Sequence, residues 1–202
     1  MPHFSQKVFK PNSGEVITIV SGLPRSGTSM TMKMLEAGGF PILTDGMRTA
    51  NEDNPNGYYE FERVKKLDKE DTTWLEEAQG KAVKVISALL KYLPPDYTYK
   101  VIFMQRRMVE ILASQRQMLI RRSEPDQKIS DAELMELFKK HLRSVRVWLA
   151  QQPNIKVIYI SYNDLLTNPS KEVNTINQFL GNILDEARMA EVIDPTLYRQ
   201  KQ

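Results

Sequence analysis

The sequence contains no cysteine, only two histidines, and no apolar run long enough to span a bilayer. The lack of cysteine excludes disulfides, cysteine-based zinc sites and thiol catalysis. The first residues, MPHFSQK, lack the apolar region of a secretion signal, so we expect a cytoplasmic protein without a membrane segment. A formal net charge of only +3 gives no reason to expect a nucleic-acid partner.

The remaining composition is that of one globular domain. The chain has 202 residues, of which 26% are charged, and this length can bury a core of ordinary size. Residues 1–15 are polar and include Pro11, Asn12 and Gly14, so they predict an N-terminal tail. Residues 16–202 are then the domain.

Short apolar runs alternate with helical patterns along this domain. Four runs rich in β-branched residues predict strands buried on both faces: Val16–Ser21, Ala82–Ser87, Lys100–Gln105 and Ile155–Ser161. The clearest helical patterns are Thr28–Ala37, Met108–Arg121, a third from a capping box at Ser130–Glu133 to Pro153, and a fourth from Asn168 to Gly181. This alternation predicts an α/β domain with a central parallel sheet flanked by helices.

The stretch GLPRSGTSM follows the first predicted strand directly and is typical of a phosphate-binding loop. Gly22 and Gly27 have the spacing of a nucleotide-binding P-loop, but Thr28 stands where that loop has lysine, and the only cation is Arg25. Backbone N–H groups, the dipole of the next helix and the hydroxyls of Thr28 and Ser29 would all favour an anion. This combination favours phosphate binding over a turn without a ligand.

A metal-dependent nucleotide kinase would also need an acidic residue at the end of a neighbouring strand. The candidate strands end instead in Ser87, Gln105-Arg106 and Ser161. The sequence therefore predicts no metal site and argues against a kinase or an ATPase.

A second candidate phosphate site follows the third strand. Arg106 would leave that strand at the ligand edge of the sheet, and Ser114 would lie about two turns along the next helix. An arginine fork and a hydroxyl suit a terminal phosphate. Alone, this pair would be better explained as a solvated charge and a helix-surface serine; beside the loop, phosphate binding is the favoured interpretation.

These blocks resemble the sulfotransferases that use 3′-phosphoadenylyl sulfate (PAPS). The segment Pro24–Thr28, PRSGT, is similar to their 5′-phosphosulfate loop, with arginine as in the tyrosyl-protein members. The spacing of Arg106 and Ser114 is similar to their 3′-phosphate motif. The segments Tyr162–Pro169 and Gln178–Gly181 are similar to their Tyr-Glu-Asp-Leu segment and to their helix ending in Phe-Leu-Gly.

The resemblance implies a P-loop-type sulfotransferase fold and a sulfuryl transfer from PAPS, without metal, to a hydroxyl or amine of a small-molecule or glycan acceptor, with PAP as product. It implies nucleotide contacts from Gly22, Pro24, Arg25, Ser26, Gly27, Thr28, Ser29, Arg106 and Ser114. Two alternatives remain open: a P-loop nucleotide kinase, and a non-catalytic nucleotide-binding module on the same scaffold. The oligomeric state is not indicated.

The resemblance also suggests the catalytic groups. Arg25 and Lys84 are the expected cations, and Lys84 matches a lysine of the family. Two residues later the cytosolic members have a histidine base, and this chain has Ile86. Both histidines are poor substitutes, because His3 lies in the tail and His141 fits the packed face of a helix.

A carboxylate would then accept the proton. Asp45 lies about twenty residues after the loop cation, where tyrosyl-protein and heparan sulfotransferases have a glutamate, and it is the preferred candidate, with Arg48 just beyond it. Glu60 is the second candidate. The family's C-terminal nucleotide-binding stretch is not visible; Arg199 and Lys201 could replace it, but a solvated basic tail is the better interpretation.

Overall fold

The computed structural model describes residues 16–47, 57–121 and 129–194. Within them the chain forms one parallel sheet of four strands in the order β2-β1-β3-β4. The strands are β1 (Ile17–Gly22), β2 (Ala82–Lys84), β3 (Tyr99–Gln105) and β4 (Ile155–Ser161). The predicted α/β fold with a central parallel sheet is confirmed.

Helices connect and cover the strands. In the described ranges the α-helices are α1 (Thr28–Ala37), α2 (Met108–Arg121), α3 (Asp131–Ala150), α4 (Tyr162–Thr167), α5 (Pro169–Leu180) and α6 (Glu186–Glu191). Both α1 and α2 have the predicted bounds. The capping box of α3 is formed, because the Ser130 hydroxyl accepts the Glu133 N–H (3.3 Å) and the Glu133 carboxylate accepts the Ser130 N–H (3.0 Å). Short 3₁₀ segments at Glu62–Lys69, Thr73–Leu75 and Ser87–Tyr92, together with α4 and α6, were not expected from the sequence.

Two predictions about the strands were wrong in detail. The second apolar run gives only three strand residues, because Ser87 already begins a 3₁₀ turn. The fourth strand is not buried on both faces: it pairs only with β3, at the edge of the sheet, and only Ile160 is fully buried there. Tyr159 on the same strand is 40% exposed.

The core lies on both faces of the sheet because successive strand residues point to opposite sides. On β1, Ile17 and Ile19 pack in one apolar cluster and Val20 in the other. On β3, Phe103 and Ile102 divide in the same way. This packing fixes the sheet and therefore the positions at which its strands end.

The carboxyl ends of β1, β2 and β3 bring three predicted site segments to one edge of the sheet. The predicted phosphate-binding loop at residues 22–29, called the phosphate loop below, follows β1, Lys84 ends β2, and Arg106 follows β3. Other predicted features, namely the tail 1–15 with His3, and Arg48, Arg199 and Lys201, lie outside the described residues. In the part of the chain that the structure describes, no helix combines the length and apolar character of a membrane span.

Candidate functional site

The phosphate loop connects β1 to α1 and is shaped by its two glycines. A Cβ on Gly22 would lie 2.5 Å from the Ser26 hydroxyl, and a Cβ on Gly27 would lie 2.5 Å from the ring of Tyr162. Gly27 also has φ +101°, in the left-handed region. Arg25 has φ +71°, which is uncommon for a residue with a side chain and typical of functional loops.

The two predicted phosphate motifs meet in space. The Arg25 Nε donates a hydrogen bond of 2.9 Å to the hydroxyl of Ser114, a residue 89 positions away in the sequence. An Nη of Arg106 donates to the Arg25 carbonyl at 3.1 Å. The cation expected at the 5′ side and the pair expected at the 3′ side therefore form one polar cluster beside the loop.

Arg106 is held in this cluster from several sides. Its Nε donates to the carboxylate of Glu110 at 2.9 Å, and the two side chains are 8% and 0% exposed. Its guanidinium lies 4.4 Å from the ring centre of Tyr162, and Asn163 donates to the Glu110 carboxylate at 2.9 Å. Arg106 is thus not a solvated surface charge, whereas the side chain of its neighbour Arg107 is 61% exposed.

Sequence reasoning missed the supporting role of Glu110. The only local signal for it is its position four residues after Arg106, the spacing at which opposite charges meet on a helix. The Glu110 carboxylate also accepts a hydrogen bond from Asn163, 53 residues away, and the sequence could not indicate this contact or the enclosure of the pair. Because a buried charge that loses its partner is strongly destabilising, any orientation of Arg106 that breaks its contact with Glu110 is disfavoured. Glu110 therefore fixes the direction in which the Arg106 side chain points.

Lys84 points towards the phosphate loop rather than into solvent. Its side chain is only 10% exposed, and its Nζ lies 3.3 Å from the Ser29 hydroxyl and 3.9 Å from a carboxylate oxygen of Glu60. It also donates to the carbonyl of Tyr58. The loop, the end of β2 and the segment after residue 57 therefore converge at this amine.

The two candidate bases differ in their placement. Asp45 is exposed, and its carboxylate accepts backbone N–H bonds from Met47 (3.0 Å) and Glu62 (2.6 Å), which tie two segments together. Glu60 lies 3.3 Å from the Lys65 amine and beside Lys84. The structure thus brings Glu60 to the loop and gives Asp45 a structural contact, the reverse of the preference drawn from the sequence.

A cavity of about 280 Å³ opens beside the loop. Asp45, Ser26, Gly27, Arg106 and Ser114 are not among its described lining residues. The described lining consists of Gly22, Leu23, Pro24, Arg25, Thr28, Ser29, Tyr58, Glu60, Phe61, Val64, Lys65, Lys84, Val85, Ile86, Leu89 and Met118. Its volume is near the lower end of the range for small-molecule sites. Within the described ranges, no group of three or more histidine and acidic side chains could hold a metal ion.

His141 makes a packing contact, as expected. Its Nε2 lies 2.8 Å from the hydroxyl of the buried Ser87, which joins α3 to the 3₁₀ turn after β2. Burial, and to a lesser extent the charge of Lys91, lower the pKa of the His141 imidazole below its ordinary value. His141 is not among the residues that line the cavity.

Comparison with known proteins agrees with this arrangement. The family model described as "Sulfotransferase domain" matches residues 17–202. A search of curated protein sequences gave no significant match.

Solved structures with the same fold are distant in sequence. A Mycobacterium tuberculosis H37Rv sulfotransferase has a TM-score of 0.58 at 17% identity, covering 88% of this chain and 71% of its own. The sulfotransferase domain of the Synechococcus PCC 7002 olefin synthase has a TM-score of 0.52 at 15% identity, covering 97% and 88%. A mouse sulfotransferase complexed with PAP has a TM-score of 0.53 at 19% identity, covering 89% and 62%. At these identities the likeness shows the fold.

Proposed function

The chain belongs to the sulfotransferase domain family and is a sulfotransferase, and we propose that its donor is PAPS and that it acts without a metal ion on a hydroxyl or amine of a small acceptor. The observation that carries the proposal is the single polar cluster formed by Arg25, Arg106 and Ser114 beside the loop. The cluster brings two guanidinium groups and a hydroxyl together beside the loop, which supports contacts to two separate phosphates. PAP is bound in a related structure, the mouse sulfotransferase.

The loop residues fit the 5′-phosphosulfate of this donor. The close approach of Gly22 to Ser26 leaves no room for a side chain, which keeps the backbone accessible to an anion. Thr28 and Ser29 contribute hydroxyls at the start of α1, and Arg25 contributes a positive charge. Pro24 and Gly27 complete the turn.

The 3′-phosphate would be held by Arg106 and Ser114. A guanidinium fixed by Glu110 and by the ring of Tyr162 is already oriented before a ligand arrives, so less conformational entropy is lost on binding. Ser114 is 8% exposed, so its hydroxyl is suited to one specific polar contact and not to general contact with solvent.

Glu60 is the base in this proposal. It would take the proton of the acceptor as the acceptor oxygen or nitrogen bonds to sulfur and the bond from sulfur to the 5′-phosphate oxygen breaks. Lys84 and Arg25 would stabilise the negative charge that develops on that leaving oxygen. The 3.9 Å between Lys84 and Glu60 supports this division, because proton acceptor and charge stabiliser lie at the same end of the cavity.

Thermal unfolding with PAP and with ATP–magnesium tests the donor assignment. PAP at a hundredfold excess over its dissociation constant should raise the free energy of unfolding by about 2.7 kcal/mol. EDTA should leave that gain unchanged, since the cluster that carries the proposal consists of cations and hydroxyls. Stabilisation by ATP–magnesium together with no effect of PAP would contradict the proposal and favour the kinase alternative.

Transfer is tested separately from binding. Formation of PAP and a sulfated product from PAPS identifies an enzyme that uses this donor. Binding of PAP with no transfer to any member of a broad acceptor panel would contradict the catalytic proposal and favour a nucleotide-binding module.

A further inference from the structure

We propose that the acceptor carries its hydroxyl on an uncharged apolar body, as an aliphatic or aromatic alcohol does, and is not a sugar or a charged peptide. The inference rests on the proposed function, because it names the acceptor class of the same site. It follows from the chemical division of the cavity beside the phosphate loop.

The lining of the cavity divides by chemistry. The loop, Lys84, Glu60, Tyr58 and Lys65 supply its polar groups, and the reacting oxygen must lie near the loop. The rest of the described lining is mostly apolar and includes Phe61, Val64, Val85, Ile86, Leu89 and Met118. A ligand that reaches the loop therefore places most of its surface against hydrocarbon.

The charged side chain beside this apolar wall is itself engaged. The Lys65 amine lies 2.6 Å from the Glu62 carboxylate and 3.3 Å from that of Glu60. Its aliphatic stem can still cover apolar ligand surface. A sugar would bring several hydroxyls to this wall, and each hydroxyl that leaves water without a partner lowers affinity.

The apolar wall is preformed. The Phe61 ring packs edge-on against Trp74, with 5.7 Å between ring centres, and Trp74 is 1% exposed. Val64 is 5% exposed and packs in the core as well as at the wall. Val85 is fully buried, so it supports the wall without offering surface of its own. The wall therefore does not need to be assembled by the ligand, and its apolar surface is part of the folded state.

The size of the cavity limits the size of the apolar body. At about 30 Å³ for each water-sized group, 280 Å³ corresponds to at most about nine heavy atoms, and the 5′-phosphosulfate of the donor would take part of that space beside the loop. A slender chain or a single ring with a short substituent meets this limit.

The test is a binding series that does not depend on turnover. Straight-chain primary alcohols of two to twelve carbons are titrated into the protein saturated with PAP. The dissociation constant should fall about three- to fourfold for each added methylene, and the gain should stop by about nine heavy atoms. Methyl glucoside and N-acetylglucosamine should bind more weakly than 1-hexanol.

Three variants connect the series to this wall. Leu89→Phe fills the cavity and should shorten the chain length at which the gain stops. Ile86→Ser should weaken 1-octanol about three- to tenfold. Ile183→Ser is the control: Ile183 is 67% exposed, is not in the described cavity lining, and should leave the series unchanged.

Dissociation constants that do not depend on chain length, or tighter binding of the sugars than of 1-hexanol, would overturn the inference. Equal effects of Ile86→Ser and Ile183→Ser would also overturn it, because binding would then lie elsewhere. Failure of the proposed function has a different signature: the alcohols bind with the expected dependence, but PAPS yields no sulfated product with any of them.

Discussion

Replacing Glu60 by glutamine should lower sulfuryl transfer about 10²–10⁴-fold, the usual effect of removing a general base. The substitution keeps the size and the hydrogen-bonding capacity of the side chain but removes its ability to accept a proton at neutral pH. Lys84 lies 3.9 Å and Lys65 3.3 Å from the Glu60 carboxylate, and both amines remain in the variant. Affinity for PAP should change little, since the base acts on the acceptor.

The assay is single-turnover conversion of PAPS to PAP, with the variant saturated by donor and by a working alcohol acceptor. Asp45→Asn is the matched control. Because the contacts of the Asp45 carboxylate within the described residues are the N–H bonds from Met47 and Glu62, this variant should lose some stability but keep its rate constant within about threefold. A near-normal rate constant for Glu60→Gln, with a hundredfold loss for Asp45→Asn, would refute the reasoning and restore the sequence-based preference.

Three further predictions concern the nucleotide, the loop and pH. Arg106→Ala should weaken PAP about 10- to 150-fold and should weaken adenosine 5′-phosphosulfate, which lacks the 3′-phosphate, much less; some loss is expected there because Arg106 also holds the Arg25 carbonyl of the loop, and equal losses measured by calorimetry would contradict a 3′-phosphate contact. Gly27→Ala should lower the free energy of unfolding by about 1–3 kcal/mol, because φ is +101° and the new Cβ meets the ring of Tyr162; an unchanged denaturant midpoint would show that the ring can move. The pKa of His141 is lowered in the folded protein, so its contribution to stability is complete above the unfolded pKa of about 6.5 and is lost as pH falls below it. His141→Gln should therefore reduce the fall in melting temperature between about pH 7 and pH 5, and should keep transfer near wild type. An unchanged fall in melting temperature would exclude the His141 imidazole as its cause.

Local signals were sufficient for the elements that follow one another closely in the sequence. The spaced glycines after β1 and the uninterrupted helical pattern predicted the loop and both ends of α1, and the Ser130–Glu133 box predicted the start of α3. Such features depend on hydrogen bonds and backbone conformations within a few residues. The family resemblance added the order of the blocks.

Features that depend on distant packing could not be predicted in the same way. Distance along the sequence favoured Asp45 as the base, but the turn that ties it to Glu62 and directs Glu60 towards Lys84 exists only in the folded chain. The Arg106 guanidinium likewise packs on the ring of Tyr162, which lies 56 positions later in the sequence. A single sequence carries no direct record of such contacts.

The most direct test of the central claim is to incubate the purified protein with PAPS and a medium-chain alcohol in excess EDTA, and to quantify PAP and the sulfated alcohol by mass spectrometry. The account predicts equal amounts of both products, and a rate that falls sharply in Arg25→Ala. Absence of both products with an acceptor shown to bind, or a rate that is unchanged in Arg25→Ala, would contradict it.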